Sequence, residues 1–392
     1  MYERDIVNLI VSRLQEPRRF IQIVVGPRQT GKSTAVLQAL EKVDAPVISH
    51  SFDLPKDRIG EKLESIWATA REALKTHDEV VLSLDEIQKV PDWSSTVKYL
   101  WDEDSRKSNN VKALLTGSSA LNLQHGMAES LKGRFEEIVS TQWTYSECRE
   151  AFGYTLDQFL FFGGYPGSSS LVGDVDRWFS YMHSSIIEPT LTQDVLEMEQ
   201  IRKPALLRAL FEIGAVYSSQ EISYRKLLGQ LDDKGNTETI SHYLDLISTA
   251  GLLTGLKKYN TKILQSRSSS PRLMVYDTSL MTAATEEDWA SLMENPAQKG
   301  HLIESAVGAY LLARSKTDRF SLYWWRERNS EVDFVITKGK KRTAIEVKGG
   351  AVKGLNGMRD FIKRYPGTYS MVVGSDECPL EEFLLGNIPL FQ

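Results

Sequence analysis

Between Glu3 and Leu14 the apolar residues Ile6, Ile10 and Leu14 recur at helical spacing, so an amphipathic helix is expected at the start of the chain. The pattern then changes. Phe20 to Val25 (FIQIVV) is a β-branched apolar run, which reads as a buried strand. Gly26 ends it, and a helical pattern starts near Lys32. A second run, Val80 to Leu84 (VVLSL), stops at Asp85-Glu86, and a third, Val111 to Leu115 (VKALL), stops at Thr116-Gly117-Ser118-Ser119. Short strands alternating with helices predict a parallel sheet covered on both faces. Because each run ends in polar or glycine-rich residues, a site is expected along the carboxyl edge of that sheet.

After Trp143 the pattern is mostly helical, and Gly163-Gly164-Tyr165-Pro166-Gly167 reads as a turn or hinge. Lys203 to Tyr259 gives three helical stretches and a short strand-like tail, and Ser266 to Pro271 (SRSSSP) reads as a flexible loop. From about Gly300 come a helix (His301 to Ala313), strands at Ser321 to Trp325, Val332 to Ile336 and Thr343 to Val347, another helix, and a strand at Tyr369 to Val373.

A chain of 392 residues is expected to hold two or three domains. Hydrophobic content of 41% with 25% charged residues is that of a globular protein, and no apolar run is long enough to span a bilayer. The charged start, Met1 to Asp5, does not read as a signal peptide. Two distant cysteines, Cys148 and Cys378, argue against a disulfide framework and favour a reducing cytoplasm. The net charge of −5 excludes a generally basic coat, yet two segments are locally basic. Ile201 to Arg272 carries 11 Lys and Arg against 6 Asp and Glu, and Arg314 to Lys353 carries 11 against 5.

Chemistry enters with Gly26-Pro27-Arg28-Gln29-Thr30-Gly31-Lys32-Ser33, a full G-x-x-x-x-G-K-[ST] loop followed by Thr34. Its glycines let backbone N–H groups turn toward phosphate oxygens, Lys32 would reach the β- and γ-phosphates, and Ser33 would ligate Mg²⁺. The helix N-terminus behind the loop favours the same anion. Asp85 would hold Mg²⁺ through water, and Glu86 would polarise the attacking water. Thr116 or Ser118 would orient that water or touch the γ-phosphate. Arg134, in Gly133-Arg134-Phe135, is a candidate finger for a neighbouring subunit's γ-phosphate.

GPRQTGKS, VVLSLDEIQ, LLTGSS, ESLKGRF and GGYP, in this order, resemble the AAA-type ATPases of bacteria and archaea (the AAA_14 type) that carry a C-terminal domain known as DUF4143. The resemblance covers nearly the whole chain. It implies an α/β fold: a P-loop AAA+ parallel-sheet core, then a helical and winged-helix region, then an α/β restriction-endonuclease-like domain. The expected boundaries are 1–142 for the ATPase core, 143–200 for a helical lid or linker, 201–272 for a winged helix-turn-helix, and 273–392 for the nuclease-like domain. No second-sensor arginine is evident in the lid.

In the middle region, Gln220 to Leu231 and Thr237 to Ala250 read as two helices joined by a short turn, with Lys257-Lys258-Tyr259 beyond. The second helix of such a motif enters a DNA groove. Asn236, Thr237, Thr239 and His242 would face DNA, with Lys257, Lys258 and Lys262 on a wing. The alternative is a protein-docking or inter-subunit module.

At the C-terminal end, Glu304 lies on a helix, Asp333 on a strand, and Glu346 and Lys348 on the next strand, where Glu-x-Lys puts both side chains on one face. That order resembles the PD-(D/E)xK nuclease superfamily, with Val332 where a proline is usual. Glu304, Asp333 and Glu346 would bind a second Mg²⁺ or Mn²⁺ beside Lys348. The overall expectation is an ATP- and Mg²⁺-dependent homo-oligomer, a hexamer in the first instance, that remodels or processes DNA, branched DNA included, without membrane association. Two rivals stand beside it. One is an ATP-switched regulator whose C-terminal domain binds DNA or protein without cleaving. The other is a small-molecule kinase, against which Glu86 and the long C-terminal extension argue.

Overall fold

The buried strands read from the sequence form the centre of a parallel sheet in the computed structural model, which describes residues 1–117, 130–196, 201, 203–231, 236–260, 270–349 and 355–392. Ser118 and Lys262 lie outside these described residues. The chain divides into two units, Met1–Thr141 and Gln142–Gln392.

The first unit contains α1 (Asp5–Gln15), β1 (Ile21–Val25), α2 (Lys32–Leu40), β2 (Val47–Ser51), α3 (Gly60–Ala73), β3 (Val80–Asp85), α4 (Trp93–Lys107), β4 (Val111–Thr116) and β5 (Phe135–Val139). The strand order is β2-β3-β4-β1-β5, with every neighbouring pair parallel. Alternation along each strand explains why the runs are apolar throughout. Ile21, Ile23 and Val25 of β1, with Val80, Leu82 and Leu84 of β3, pack toward Trp67 of α3 and Val97 and Trp101 of α4. Val24, Val81 and Leu114 face the other way, onto Val7, Ile10 and Leu14 of α1 and Val36 and Ala39 of α2. Each such fully buried large side chain stabilises the sheet by about 2 kcal/mol. Because β4 lies between β1 and β3, its last residue, Thr116, pairs with Val24 of β1 on one side and reaches Asp85 at the tip of β3 on the other.

The second unit begins with α5 (Tyr145–Phe152), α6 (Leu156–Phe162) and α7 (Val175–Tyr181), then α8 (Pro204–Val216), α9 (Tyr224–Gln230), α10 (Thr237–Thr249), β6 (Leu253–Lys258) and β7 (Arg272–Val275). It continues through α11 (Thr278–Thr285), α12 (Trp289–Met293), α13 (Pro296–Asp318), β8 (Ser321–Glu327), β9 (Ser330–Lys338), β10 (Lys341–Val347), α14 (Asn356–Arg364), β11 (Tyr369–Val373) and α15 (Leu380–Leu384). Helices α8 to α10 followed by the antiparallel β6–β7 pair have the order of a winged helix. The pair is not a free wing, because β6 also bonds to β8 in a six-stranded sheet ordered β11-β10-β9-β8-β6-β7. That sheet therefore takes strands from both sides of residue 272.

Gly163 and Gly164 form a packed joint where the sequence pattern predicts a turn or hinge. Gly163 has φ +67°, and a Cβ there would come within 1.8 Å of Asp277 Oδ1. A Cβ on Gly164 would come within 2.1 Å of the Trp143 carbonyl oxygen. The Gly164 N–H donates to Asp277 Oδ2 at 2.8 Å, and Asp277 also caps α11 by accepting from the Ser279 N–H at 3.0 Å.

Candidate functional site

The loop Gly26 to Gly31 joins β1 to α2, and its backbone takes conformations that side chains disfavour. Gly31 has φ +82° and Gln29 φ +59°, so successive N–H groups turn into one concavity. Gly26 has φ +155°, and a Cβ there would meet the Ser140 carbonyl oxygen at 2.0 Å, so only glycine lets the loop leave β1 so close to β5. Lys32 is buried, and its ammonium donates to the Gly26 carbonyl at 2.9 Å. Arg28 is half-buried, and Ser33 and Thr34 are exposed on the first turn of α2. The buried Thr30 hydroxyl donates to the Pro27 carbonyl at 3.1 Å.

Opposite the loop, Ser33 Oγ donates to Asp85 Oδ2 at 3.5 Å, and Thr116 Oγ1 donates to Asp85 Oδ1. The order of strands thus gathers Ser33, Asp85 and Thr116 at one point of the sheet edge. Glu86 follows in a left-handed conformation, φ +54°, unusual for a residue with a side chain. Its Oε2 accepts from Gln88 Nε2 at 2.7 Å and lies 3.0 Å from Lys89 Nζ, which also reaches Asp53 at 2.7 Å. A hydroxyl and a carboxylate facing each other are oxygen ligands of the kind Mg²⁺ takes, and the N–H-lined loop with Lys32 beside them suits the phosphates of a nucleoside triphosphate. The residues fit that group.

Sequence reasoning missed the brace beneath the loop. Arg4 is buried, and its Nη1 donates to the Thr30 carbonyl at 3.1 Å, Ser140 Oγ at 3.2 Å and the Thr141 carbonyl at 3.2 Å. An arginine just before the first helix carries no local signal for this, since its partners lie 26 to 137 residues away. Arg134 lies apart from the loop-facing residues. It forks onto Asp102 of α4 in the same chain, beside the exposed Tyr99.

At the start of α10, the cap residue Asn236 and His242 are exposed and Thr237 and Thr239 half-buried. Asn236 spends its side-chain oxygen on capping the helix, accepting from the Glu238 N–H at 2.9 Å. Lys257 is exposed on β6, whereas the Lys258 ammonium lies 5.8 Å from the Trp324 ring.

In the six-stranded sheet, β9 and β10 are antiparallel with Phe334 opposite Ile345, which carries Asp333 level with Glu346. Asp333 Oδ2 accepts from the Val347 N–H at 2.8 Å, and Lys348 Nζ pairs with Glu346 Oε1 at 2.6 Å. Glu304 comes in from α13 and lies close enough to act electrostatically on Asp333 and Glu346. Burial and then the surrounding carboxylates push Glu304 upward against the opposing pull of Arg272. Burial and then Asp333 do the same to Glu346 against Lys348. The four expected residues are therefore neighbours. A fifth, unforeseen one joins them: Arg272, only 4% exposed, pairs with Glu304 and with Asp333 Oδ1 at 3.5 Å. Its guanidinium already holds the oxygens that a divalent ion would need. Among the described residues, no group of three His, Cys, Asp or Glu side chains converges as a metal cage, so the cluster as built does not fit the expected second Mg²⁺ or Mn²⁺.

Residues 18–148 match the AAA domain model AAA_14. The N-terminal unit is an AAA domain. Beyond it, residues 153–291 match a domain of unknown function, DUF8612, and residues 299–390 match another, DUF4143. Among curated proteins, an uncharacterized protein of Methanocaldococcus jannaschii is 27% identical over 350 residues, 83% of this chain and 74% of that protein. One from Mycobacterium tuberculosis is 24% identical over 336 residues, covering 84% of this chain and 70% of the relative. Among solved structures, Thermotoga maritima RuvB aligns with TM-score 0.34 at 15% identity over 64% of this chain and 87% of its own. DnaA from Aquifex aeolicus, bound to AMPPCP, aligns with TM-score 0.31 at 14% identity over 62% and 87%. Among the described residues no helix is long and apolar enough to cross a membrane.

Proposed function

We propose that this protein binds ATP with Mg²⁺ at the AAA domain, hydrolyses it, and couples turnover to the handling of DNA by its second unit. The observation that carries the reading is the meeting of Ser33, Asp85 and Thr116 at the mouth of the Gly26–Ser33 loop, with Glu86 next to Asp85. Lys32 and the loop N–H groups would hold the phosphates, and Ser33 and Asp85 would hold Mg²⁺. When bound, the ion would neutralise charge developing between the β- and γ-phosphates. Glu86 would take the proton of the attacking water, and Thr116 would orient that water through its hydroxyl. Arg134 would serve a neighbouring subunit of a homo-oligomer, assembled as a ring of six, in the cytoplasm.

DNA is the proposed partner because the segment from Ile201 to Arg272 is basic while the whole chain is acidic. Asn236 caps α10, and Thr237, Thr239 and His242 lie on its first two turns, the position of a recognition helix, with Lys257 and Lys258 on the adjoining strand. Steady-state ATP turnover measured alone and with duplex, single-stranded and branched DNA tests the coupling. Stimulation by one DNA form, absent in Lys32→Ala, supports it. Turnover indifferent to every DNA form would instead favour an ATP-switched regulator with protein partners.

A further inference from the structure

The acidic cluster of the second unit carries its own cation, and each of the three guanidinium nitrogens of that cation donates a hydrogen bond. Arg272 Nε donates to the Ser219 carbonyl at 2.7 Å. Nη1 donates to the Asp333 carbonyl at 3.1 Å and meets Glu331 Oε1 at 3.2 Å. Nη2 donates to Glu304 Oε1 and lies 3.5 Å from Asp333 Oδ1. Three hydrogen bonds and three carboxylates thus surround one guanidinium. The side chain is 5% exposed and its charged carbon lies 5.9 Å from the centre of the Phe334 ring. Its backbone is fixed as well, because Arg272 opens β7, opposite Leu256 on one side and Glu221 on the other.

We propose that Arg272 occupies the place of the divalent metal in this nuclease-like site, so that the second unit works as a metal-independent, non-cleaving module. A Mg²⁺ ion needs carboxylate oxygens at about 2.0–2.1 Å in near-octahedral geometry. Glu304 Oε1 and Asp333 Oδ1 could turn to a metal only by releasing the guanidinium, and a metal ion on their other oxygens would face the unreleased charge of Arg272 at close range. Lys348 supplies a second internal cation, held by Glu346. Among the described residues of the cluster, Glu346 Oε2 is the buried carboxylate oxygen without a hydrogen-bond partner. With Arg272 drawn onto Glu304 Oε1 and Asp333 Oδ1, and Lys348 onto Glu346 Oε1, each carboxylate already faces an internal cation, which leaves a poor anchor for a hard ion that prefers several anionic oxygens. This inference concerns the second unit alone and stands apart from the ATPase reading.

The test is Mn²⁺ binding by the nucleotide-free full chain, followed by the paramagnetic signal of the free ion. An Asp85→Asn background silences the AAA site. With Arg272 intact, no Mn²⁺ should bind up to millimolar concentration, and wild-type protein should not cut DNA with any divalent metal. Arg272→Ala should lower the melting temperature of the second unit by on the order of 10 °C, because buried carboxylates lose their counter-charge. The same variant should gain one Mn²⁺, lost again on adding Asp333→Asn. Mn²⁺ binding or DNA cleavage by protein that retains Arg272, abolished by Asp333→Asn, overturns the proposal. So does an Arg272→Ala chain that keeps its melting temperature, or one that folds and gains no Mn²⁺. If Arg272→Ala fails to fold, the counter-charge is confirmed as essential and the arm with Arg272 intact decides the metal.

Discussion

Arg134 and Asp102 meet as a two-point fork within one chain, Nε to Oδ1 at 2.7 Å and Nη2 to Oδ2 at 3.0 Å. The Arg134 hydrogen bond holds the Asp102 carboxyl below its ordinary value. Both side chains are about one-third exposed, at 33% and 37%, and a solvent-exposed pair of this kind contributes no more than about 1 kcal/mol. Arg134 can therefore exchange Asp102 for a phosphate on a neighbouring subunit at small cost.

If it does so, Arg134→Ala will keep nucleotide affinity and lose turnover by on the order of a thousandfold. Mixing that variant with Lys32→Ala protein will restore part of the activity, since one interface then combines an intact loop with an intact arginine. Asp102→Ala will leave turnover within a fewfold of wild type. Full turnover by a strictly monomeric protein, judged by sedimentation at assay concentration, would rule this role out.

The salt dependence of DNA binding reads out the strand lysines. Replacing Lys257 and Lys258 together with alanine is expected to weaken binding and to reduce the slope of log K against log salt by about 0.9 for each phosphate that is no longer neutralised. Fluorescence anisotropy across a salt series measures it. Because the Lys258 ammonium lies 5.8 Å from the Trp324 ring, its share is expected to be smaller than that of the exposed Lys257. An unchanged slope would move this region to protein docking.

Much of the first unit was legible because β1, β3 and β4 are buried on both faces and so read as unbroken apolar runs. The strands β2 (VISHS) and β5 (FEEIV) were not, since they mix polar and apolar residues and are only partly buried. In the candidate site, the phosphate loop and Asp85-Glu86 have local signatures. Arg4 and Arg272 have none, because their roles are created by partners far along the chain. The glycines at 163 and 164 were visible as unusual residues, but their reason, the carboxylate of Asp277 against which they pack, lies 113 positions on from Gly164.

That carboxylate gives a pH prediction. Complete burial pushes Asp277 up from 3.8 to about 6, against the opposing pull of Ser279 and Gly164. The fold favours the protonated form, so the stabilising contribution is fully present below the ordinary value and is lost as pH rises through about 6. The shift corresponds to about 3 kcal/mol. In urea unfolding of the second unit, Asp277→Asn should gain up to about that amount relative to wild type between pH 4 and pH 7. Parallel stability curves for the two proteins would refute it.

The most direct measurement is ATP turnover with ATP binding on the same preparations of wild type, Lys32→Ala and Glu86→Gln. Wild type should hydrolyse ATP only with Mg²⁺ present. Lys32→Ala should lose binding, having no ammonium at the phosphates. Glu86→Gln should bind ATP as wild type does and turn it over about a hundredfold or more slowly, the usual range for a lost general base. Equal turnover by wild type and Glu86→Gln, or no ATP binding by wild type, would contradict the account.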